Sequence, residues 1–263
     1  MIYLRKGSFE YRRSMEKQLY KFLKTGMTLL LLAAAYFLPG VCIRKMEQED
    51  RNQQTMAEAE AETKAGAEKE ENRGIIVLDS GHGGEDPGMV GIGGVEEKEI
   101  NLQIAMELKS LLEEQGFFVV MTREDDNGLY DPDTSNKKAQ DMQRRCAVIE
   151  EAAPILTVSI HQNSYTDPAV YGPQVFYFEH SPEGKELASC IQEQMNTRLE
   201  IPKPRAIKAN TNYYILKRSA SVTVLVECAF LSNPEEAEKI QTESYQRAVA
   251  ESICSGILAY LET

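Results

Sequence analysis

The chain has 263 residues, of which 42% are hydrophobic and 27% charged, and its 41 acidic against 29 basic side chains leave a formal net charge of −12. That balance argues against nucleic acid as a partner and offers no basic patch to anionic wall polymers. The length exceeds one typical domain, yet not all of it has the composition of a packed core.

Residues 1–26 carry Arg5, Lys6, Arg12, Arg13, Lys17, Lys21 and Lys24 against only Glu10 and Glu16, and an apolar run over 27–43 follows. A basic flank before an apolar run targets a membrane and keeps the basic side in the cytoplasm. A spanning helix needs about 17–25 residues, so the run just suffices, although Pro39-Gly40 sits near its far end. The LPGVC stretch at 38–42 has no small-x-small cleavage site, and Val41 is too large to precede a lipidated Cys42. The reading is therefore an uncleaved anchor to the cytoplasmic membrane with the rest of the chain outside the cytoplasm; secretion after signal cleavage is the alternative. Residues 44–73, including AEAEAETKAGAEKEEN, lack the aromatic and branched apolar residues of a core and read as a flexible acidic linker. Residues 74–263 are expected to form a single catalytic domain.

That domain alternates strand and helix signals. Ile75, Ile76, Val77 and Leu78 form an apolar run without polar alternation, as in a strand covered on both faces. Residues 98–114 place Ile100, Leu102, Ile104, Ala105, Leu108, Leu111 and Leu112 at helical spacing, and 117–121 returns as a strand. A polar loop at 131–136 leads to a helix over 137–151 that stops before Pro154. Strands follow at 155–160 and 174–178, a helix at 182–199, a connecting loop at 201–212, a strand over 222–227, a short helix after Pro234 and a last helix over 245–261. The architecture predicted is α/β, a mostly parallel twisted sheet with helices on both faces. The cysteines have no framework spacing and are expected to be free thiols.

Ligand chemistry in such sheets gathers at the carboxyl ends of strands. His82 stands there in Asp79-Ser80-Gly81-His82, His161 follows the 155–160 run, and Glu227 follows Val222–Val226. The glycine-rich loop is not a phosphate loop. No Gly-Lys-Ser/Thr follows Gly88, a dinucleotide fingerprint would need glycine at Asp86 or Glu96, and Glu85 and Asp86 would repel a phosphate. Reading Asp79-Ser80-Gly81 as part of a subtilisin-like triad fails for want of the matching histidine and serine motifs. Glu97, at the start of the helix after the loop, completes with His82 and His161 a His-Glu-His set suited to zinc, with one coordination position left for water. Cys228 beside Glu227 has no clear histidine partner for nucleophilic work, and His180 is expected to face solvent.

The segments LDSGHGGEDPGMVG, VEEKEINLQIA, Thr122-Arg123, SIHQNS and VLVECAFLSNPEE occur in this order between Gly74 and Leu261. Together they resemble the zinc-dependent N-acetylmuramoyl-L-alanine amidases that trim bacterial peptidoglycan. The resemblance implies that His82, Glu97 and His161 are the zinc ligands and Glu227 the catalytic carboxylate. It also supplies the substrate, the amide between the lactyl group of N-acetylmuramic acid and the L-alanine of the stem peptide. Ser80 stands where the family more often has proline or alanine, and Gln162 where a small residue is common; both are expected to lie off the ligands. Asp79 and Asn163 are candidates to orient the histidines, with a capping role for either as the alternative. A zinc peptidase acting on the stem peptide, or a noncatalytic wall-binding module, remains the alternative. The resemblance is nearest to the compact germination type that acts in the spore cortex, because the 199–213 connection is too short for an inhibitory helix. A protein partner that activates the enzyme is compatible with this reading.

Overall fold

The structure, a computed structural model, describes residues 73–263, with Met27 before them as a lone exposed helical residue. Met27 and Arg73 apart, the expected basic segment, membrane segment and linker lie outside the described residues. Among the described residues no helix is long and apolar enough to cross a membrane.

Six strands form one sheet: β1 (Ile75–Ser80), β2 (Phe118–Met121), β3 (Leu156–Asn163), β4 (Gln174–Phe178), β5 (Lys208–Asn210) and β6 (Val222–Phe230), in the order β2-β1-β3-β6-β4-β5. The pairs β1–β2, β1–β3 and β3–β6 are parallel, β4 runs antiparallel to β6, and β5 is parallel to β4. Parallel neighbours need long crossovers. Helices α1 (Glu97–Glu114) and α2 (Lys137–Ala152) supply those from β1 to β2 and from β2 to β3. Four more helices follow: α3 (Pro182–Arg198), α4 (Tyr214–Arg218), α5 (Pro234–Lys239) and α6 (Glu243–Leu261).

Because strand side chains alternate between faces, the sheet feeds two cores. Ile76, Leu78, Val158, Ile160, Val224 and Val226 join Leu108 of α1, Ile191 of α3 and Ile253 of α6 in the larger core. Val77, Phe176 and Leu225 meet Ile149 of α2 and Ile215 and Leu216 of α4 on the other face. At about 1.5–3 kcal/mol for each fully buried aliphatic side chain, the first core anchors the fold. The second is small enough to leave polar side chains between the sheet and α2.

The helix starts are written in the sequence. Asn136 caps α2 by accepting from Ala139 N at 3.1 Å, Ser181 caps α3 from Gly184 N at 2.9 Å with Pro182 next, and Asn233 caps α5 from Glu236 N at 3.0 Å with Pro234 next. The expected mostly parallel sheet with helices on both faces is what is found. Three details differ. The 201–212 connection contains β5, whose three residues are too few and too exposed to carry a hydrophobic pattern. The five-residue α4 is too short to register as periodic. Strands β3 and β6 run on to Asn163 and Phe230, so His161 and Glu227 lie inside strands and not at their ends.

Candidate metal centre

The sheet places the site. Residues in step along parallel neighbours share a face, and His161 pairs with Glu227 while Asp79 pairs with Ser159. Counting by twos from Val77 and Leu225, which face α2 and α4, puts Asp79, Ser159, His161 and Glu227 on that same face. The ladder shifts register between His161 and Asn163, just beyond the pair. Bulges of this kind re-aim side chains beside active sites.

Glu97 arrives from α1, whose first turn lacks a side-chain cap. The loop after β1 supplies the missing partners: Glu97 N donates to Met89 O at 2.9 Å and Lys98 N to Pro87 O at 3.1 Å. Met89 N donates to Glu97 Oε2 at 2.8 Å in return. The helix start and the loop thus fix each other and aim Oε1 inward. His82 Nε2 lies 3.3 Å and His161 Nδ1 3.0 Å from that oxygen, and one donor atom from each of the three residues falls within 4.8 Å of the others. Asn101 Nδ2 at 3.2 Å and Gln162 N at 3.0 Å also donate to Oε1. Burial alone would raise the Glu97 carboxyl, but hydrogen bonds from His161 and His82 outweigh it and hold the group far below the usual carboxylate range.

Two imidazole nitrogens and a carboxylate oxygen converging in a buried recess are the donor set a divalent zinc takes in a catalytic site. Asp86 fits the same chemistry, since its Oδ2 sits 3.0 Å from His82 Nδ1 and fixes the ring with Nε2 toward Glu97. The residues therefore fit the metal. His82 holds its place at φ 62°, a left-handed backbone unusual for a residue with a side chain. Two arginines hold the loop in that shape. Arg123 donates to the carbonyls of Ser80, Gly81 and His82 at 2.8–3.0 Å, and Arg145 to those of Ser80 and His82. Glycine is required where side chains close in: a Cβ on Gly81 would stand 2.3 Å from His161 Cε1, and one on Gly88 2.6 Å from Glu97 Oε2.

Glu227 is 8% exposed and its Oε2 has no hydrogen-bond partner. Burial pushes its carboxyl up to about 7, with His161 pulling down and Glu97 pushing further up. The phenol of Tyr213 interacts with Glu227 and is itself raised to about 12 by burial and by that carboxylate, so it stays protonated. Tyr213 is held by an edge-on contact with Phe176 at 5.3 Å and by its N–H donating to Asn210 Oδ1 at 2.7 Å. A cavity of about 450 Å³ opens over the group, lined among others by His82, Glu97, His161, Tyr213 and Glu227.

All four residues singled out in the sequence, His82, Glu97, His161 and Glu227, thus meet at one cavity. The expected orienters differ. Asp79 touches neither histidine ring; its oxygens accept from Thr122 Oγ1 at 2.8 Å, Ser159 Oγ at 2.6 Å and Arg145 Nη1 at 2.8 Å. Asn163 Oδ1 accepts from Ser164 N. The orienting carboxylate is Asp86, one helical turn's spacing from His82 in sequence and lost among the other polar loop residues. Gln162 is not remote from the ligands either, since its backbone donates to Glu97 and its Nε2 to Asn101 Oδ1 at 3.1 Å. Arg145 and Tyr213 carried no signal beyond ordinary helix and loop composition. His180 is exposed, and Cys146, Cys190, Cys228 and Cys254 are free, as expected.

The chain is similar to proteins already known. The family described as N-acetylmuramoyl-L-alanine amidase (Amidase_3) matches residues 76–259. The germination-specific N-acetylmuramoyl-L-alanine amidase of Bacillus subtilis (strain 168) is 38% identical over 189 residues, 71% of this chain and 79% of that protein. Among solved structures, the CwlD amidase of Clostridioides difficile, determined in complex with the GerS lipoprotein, superimposes with a TM-score of 0.70 at 37% identity, covering 72% of this chain and 99% of that one. An N-acetylmuramoyl-L-alanine amidase from Clostridium difficile 630 gives 0.65 at 32% identity, covering 72% and 97%. Matched by that family over residues 76–259 and by a relative 38% identical to it, the chain belongs to the N-acetylmuramoyl-L-alanine amidase family.

Proposed function

We propose that this amidase uses zinc held by His82, Glu97 and His161 to cleave the amide between N-acetylmuramic acid and L-alanine in peptidoglycan, with Glu227 as its proton carrier. The observation that carries the reading is the convergence of His82 Nε2 and His161 Nδ1 on Glu97 Oε1 beside a buried, unpartnered Glu227 oxygen. When bound, zinc supplies a Lewis acid that polarises the carbonyl and acidifies water. Glu227 Oε2 accepts the proton of the attacking water and returns it to the leaving alanine nitrogen. Its raised proton affinity suits both halves of that task. Tyr213 keeps the carboxylate in place and shields it from bulk water.

The proposal extends to the biological setting. Likeness to a germination-specific relative supports a role in spore-cortex maturation, the neighbour solved with a lipoprotein supports a protein partner, and the basic and apolar start of the sequence supports a membrane tether with the catalytic domain, residues 74–263, outside the cytoplasm.

The test is metal content together with the bond cleaved. The purified full chain should carry one zinc and release peptides with free amino-terminal alanine from muropeptides. Cleavage inside the stem peptide would make it a zinc peptidase, and a zinc-loaded chain that binds without cleaving would make it a wall-binding module.

A further inference from the structure

A second cavity, of about 310 Å³, lies beside the first and shares Asp86, Lys138 and Asp141 with it, so the two form one continuous groove running from Tyr213 past His82 to Tyr130. Together they are the size of a site that takes an extended ligand and not a single small group. The charges along the shared wall pair off almost completely. Glu85 holds Lys137, Asp86 holds His82 Nδ1 and Gly88 N, and Asp141 holds Arg145 Nε and Leu129 N. Lys138 is left over. It lies within electrostatic reach of Asp86, but it makes no ion pair or hydrogen bond with any described residue, and its exposed ammonium stands where the two cavities join.

The opposite end of the groove is different in kind. Asn212, Tyr213, Tyr214 and Ser164 line it, with Tyr214 41% exposed. Aromatic faces with nearby amides and hydroxyls suit a pyranose ring, which presents apolar C–H faces and hydroxyl edges. Nothing there is complementary to an anion. The scissile amide joins a sugar on one side to a peptide on the other, and that peptide continues beyond alanine into a residue bearing a free carboxylate. A groove with a sugar-like end and one unpaired cation where it passes into the second cavity matches this asymmetry.

We propose that Lys138 binds a free carboxylate of the stem peptide, so that the peptide lies along the Tyr130 end of the groove and the glycan along the Tyr213–Tyr214 end. This rests on the amidase reading and adds to it the direction of the substrate and a determinant of its specificity. The ammonium donates to the carboxylate as a point charge, which anchors the acid without demanding one bidentate geometry. Because the site is open to solvent, the contribution is modest and weakens with salt.

The experiment uses the zinc-loaded full chain and two muropeptides identical except that the residue after L-alanine carries a carboxylate or the corresponding carboxamide. The wild type should show a KM lower by about 5- to 10-fold for the carboxylate form, the size expected of a partly solvated charge-assisted hydrogen bond, and the gap should narrow as salt rises. Lys138→Met should bring the ratio close to one by raising KM for the acid, and Lys138→Arg should restore most of the preference. Lys185→Met, on the exposed surface of α3 away from the groove, should behave as the wild type. A Lys138→Met enzyme that keeps the full preference, or a wild type with none, overturns the assignment. A wild type that releases alanine-terminal peptide from neither substrate overturns instead the amidase reading beneath it.

Discussion

Replacing Gly81 with alanine should remove the metal while leaving the fold. The added Cβ would stand 2.3, 2.4 and 2.7 Å from Cε1, Nε2 and Nδ1 of His161, while ordinary contact begins at 3.4 Å, so the ring must retreat by about 1.1 Å. Metal–nitrogen bonds tolerate about 0.2 Å. The displacement is several times that, and it falls on the ring whose Nδ1 faces Glu97 Oε1. His161 can move, because it projects from β3 into the cavity and not into either core. The strain is therefore relieved at the site, with only a small cost to stability. Zinc affinity should fall by about 100-fold or more, beyond the 10- to 100-fold typical of losing a group that merely orients a ligand. Gly93→Ala is the control: its φ of 85° is strained for alanine at about 1–2 kcal/mol, but nothing lies within 4 Å of the new Cβ. Competition with a chromophoric chelator measures the affinity, and far-ultraviolet circular dichroism with thermal melting monitors the fold. A Gly81→Ala protein that binds zinc as tightly as Gly93→Ala would refute both the assignment of His161 as a ligand and the steric reasoning.

Glu227→Gln should retain zinc and lose about 10²- to 10⁴-fold in kcat, because the amide keeps the shape of the side chain but cannot take up and return a proton. The wild-type rate should fall on the acid side of neutrality as Glu227 takes up a proton, at a pH below the value of about 7 to which burial raises it in the metal-free site, since a nearby dication favours the carboxylate. A rate unchanged down to pH 4 would remove Glu227 from the mechanism. Arg145→Met should cost about 3–5 kcal/mol in a denaturant melt, because it strips the partner from a buried Asp79. Burial raises Asp79, yet Arg145 and Ser159 bring it below its ordinary 3.8, so its contribution is present above that pH and lost as pH falls through the folded value; a wild type equally stable at pH 2 and 6 would contradict this. Zinc itself should be released on acidification. Burial lowers His82, but Glu97 and Asp86 raise it above the ordinary 6.5, and a protonated ring cannot ligate, so metal affinity measured by titration should drop as pH falls through that raised value.

What was legible in the sequence divides along physical lines. The parallel sheet was readable because strands buried on both faces, such as 75–78, cannot alternate, and the long helices because their apolar residues recur at helical spacing. The four candidate residues were legible because each follows an apolar run or opens a helix, although β3 and β6 run on past His161 and Glu227. The supporting cast was hidden. Arg145 reaches Asp79 across 66 positions of sequence, and only the crossover of α2 over the sheet makes them neighbours. Tyr213 meets Glu227 because β5 turns the chain back beside β4, and a three-residue exposed strand leaves no pattern to read. Asp79 misled for a related reason: adjacency to the histidine loop suggested an orienting role, but as the in-step neighbour of Ser159 it points under the loop toward α2, while Asp86, at the loop's far side, is the one turned back onto the ring.

The two arginines explain how such a site stands ready. His82 in a left-handed backbone costs about 1–3 kcal/mol, and a loop free to relax would give it up. Here the carbonyls of Ser80, Gly81 and His82 all accept from guanidinium groups that are themselves buried, Arg123 through Nε and Nη2 and Arg145 while paired with Asp79 and Asp141. Flipping the loop would strip two buried guanidiniums of the bonds they give to its carbonyls, a larger penalty than the strain it would relieve. The backbone therefore keeps its shape by virtue of two buried charges. Because those contacts come from β1, α2 and the turn after β2, the histidine–glutamate recess is a product of the fold itself.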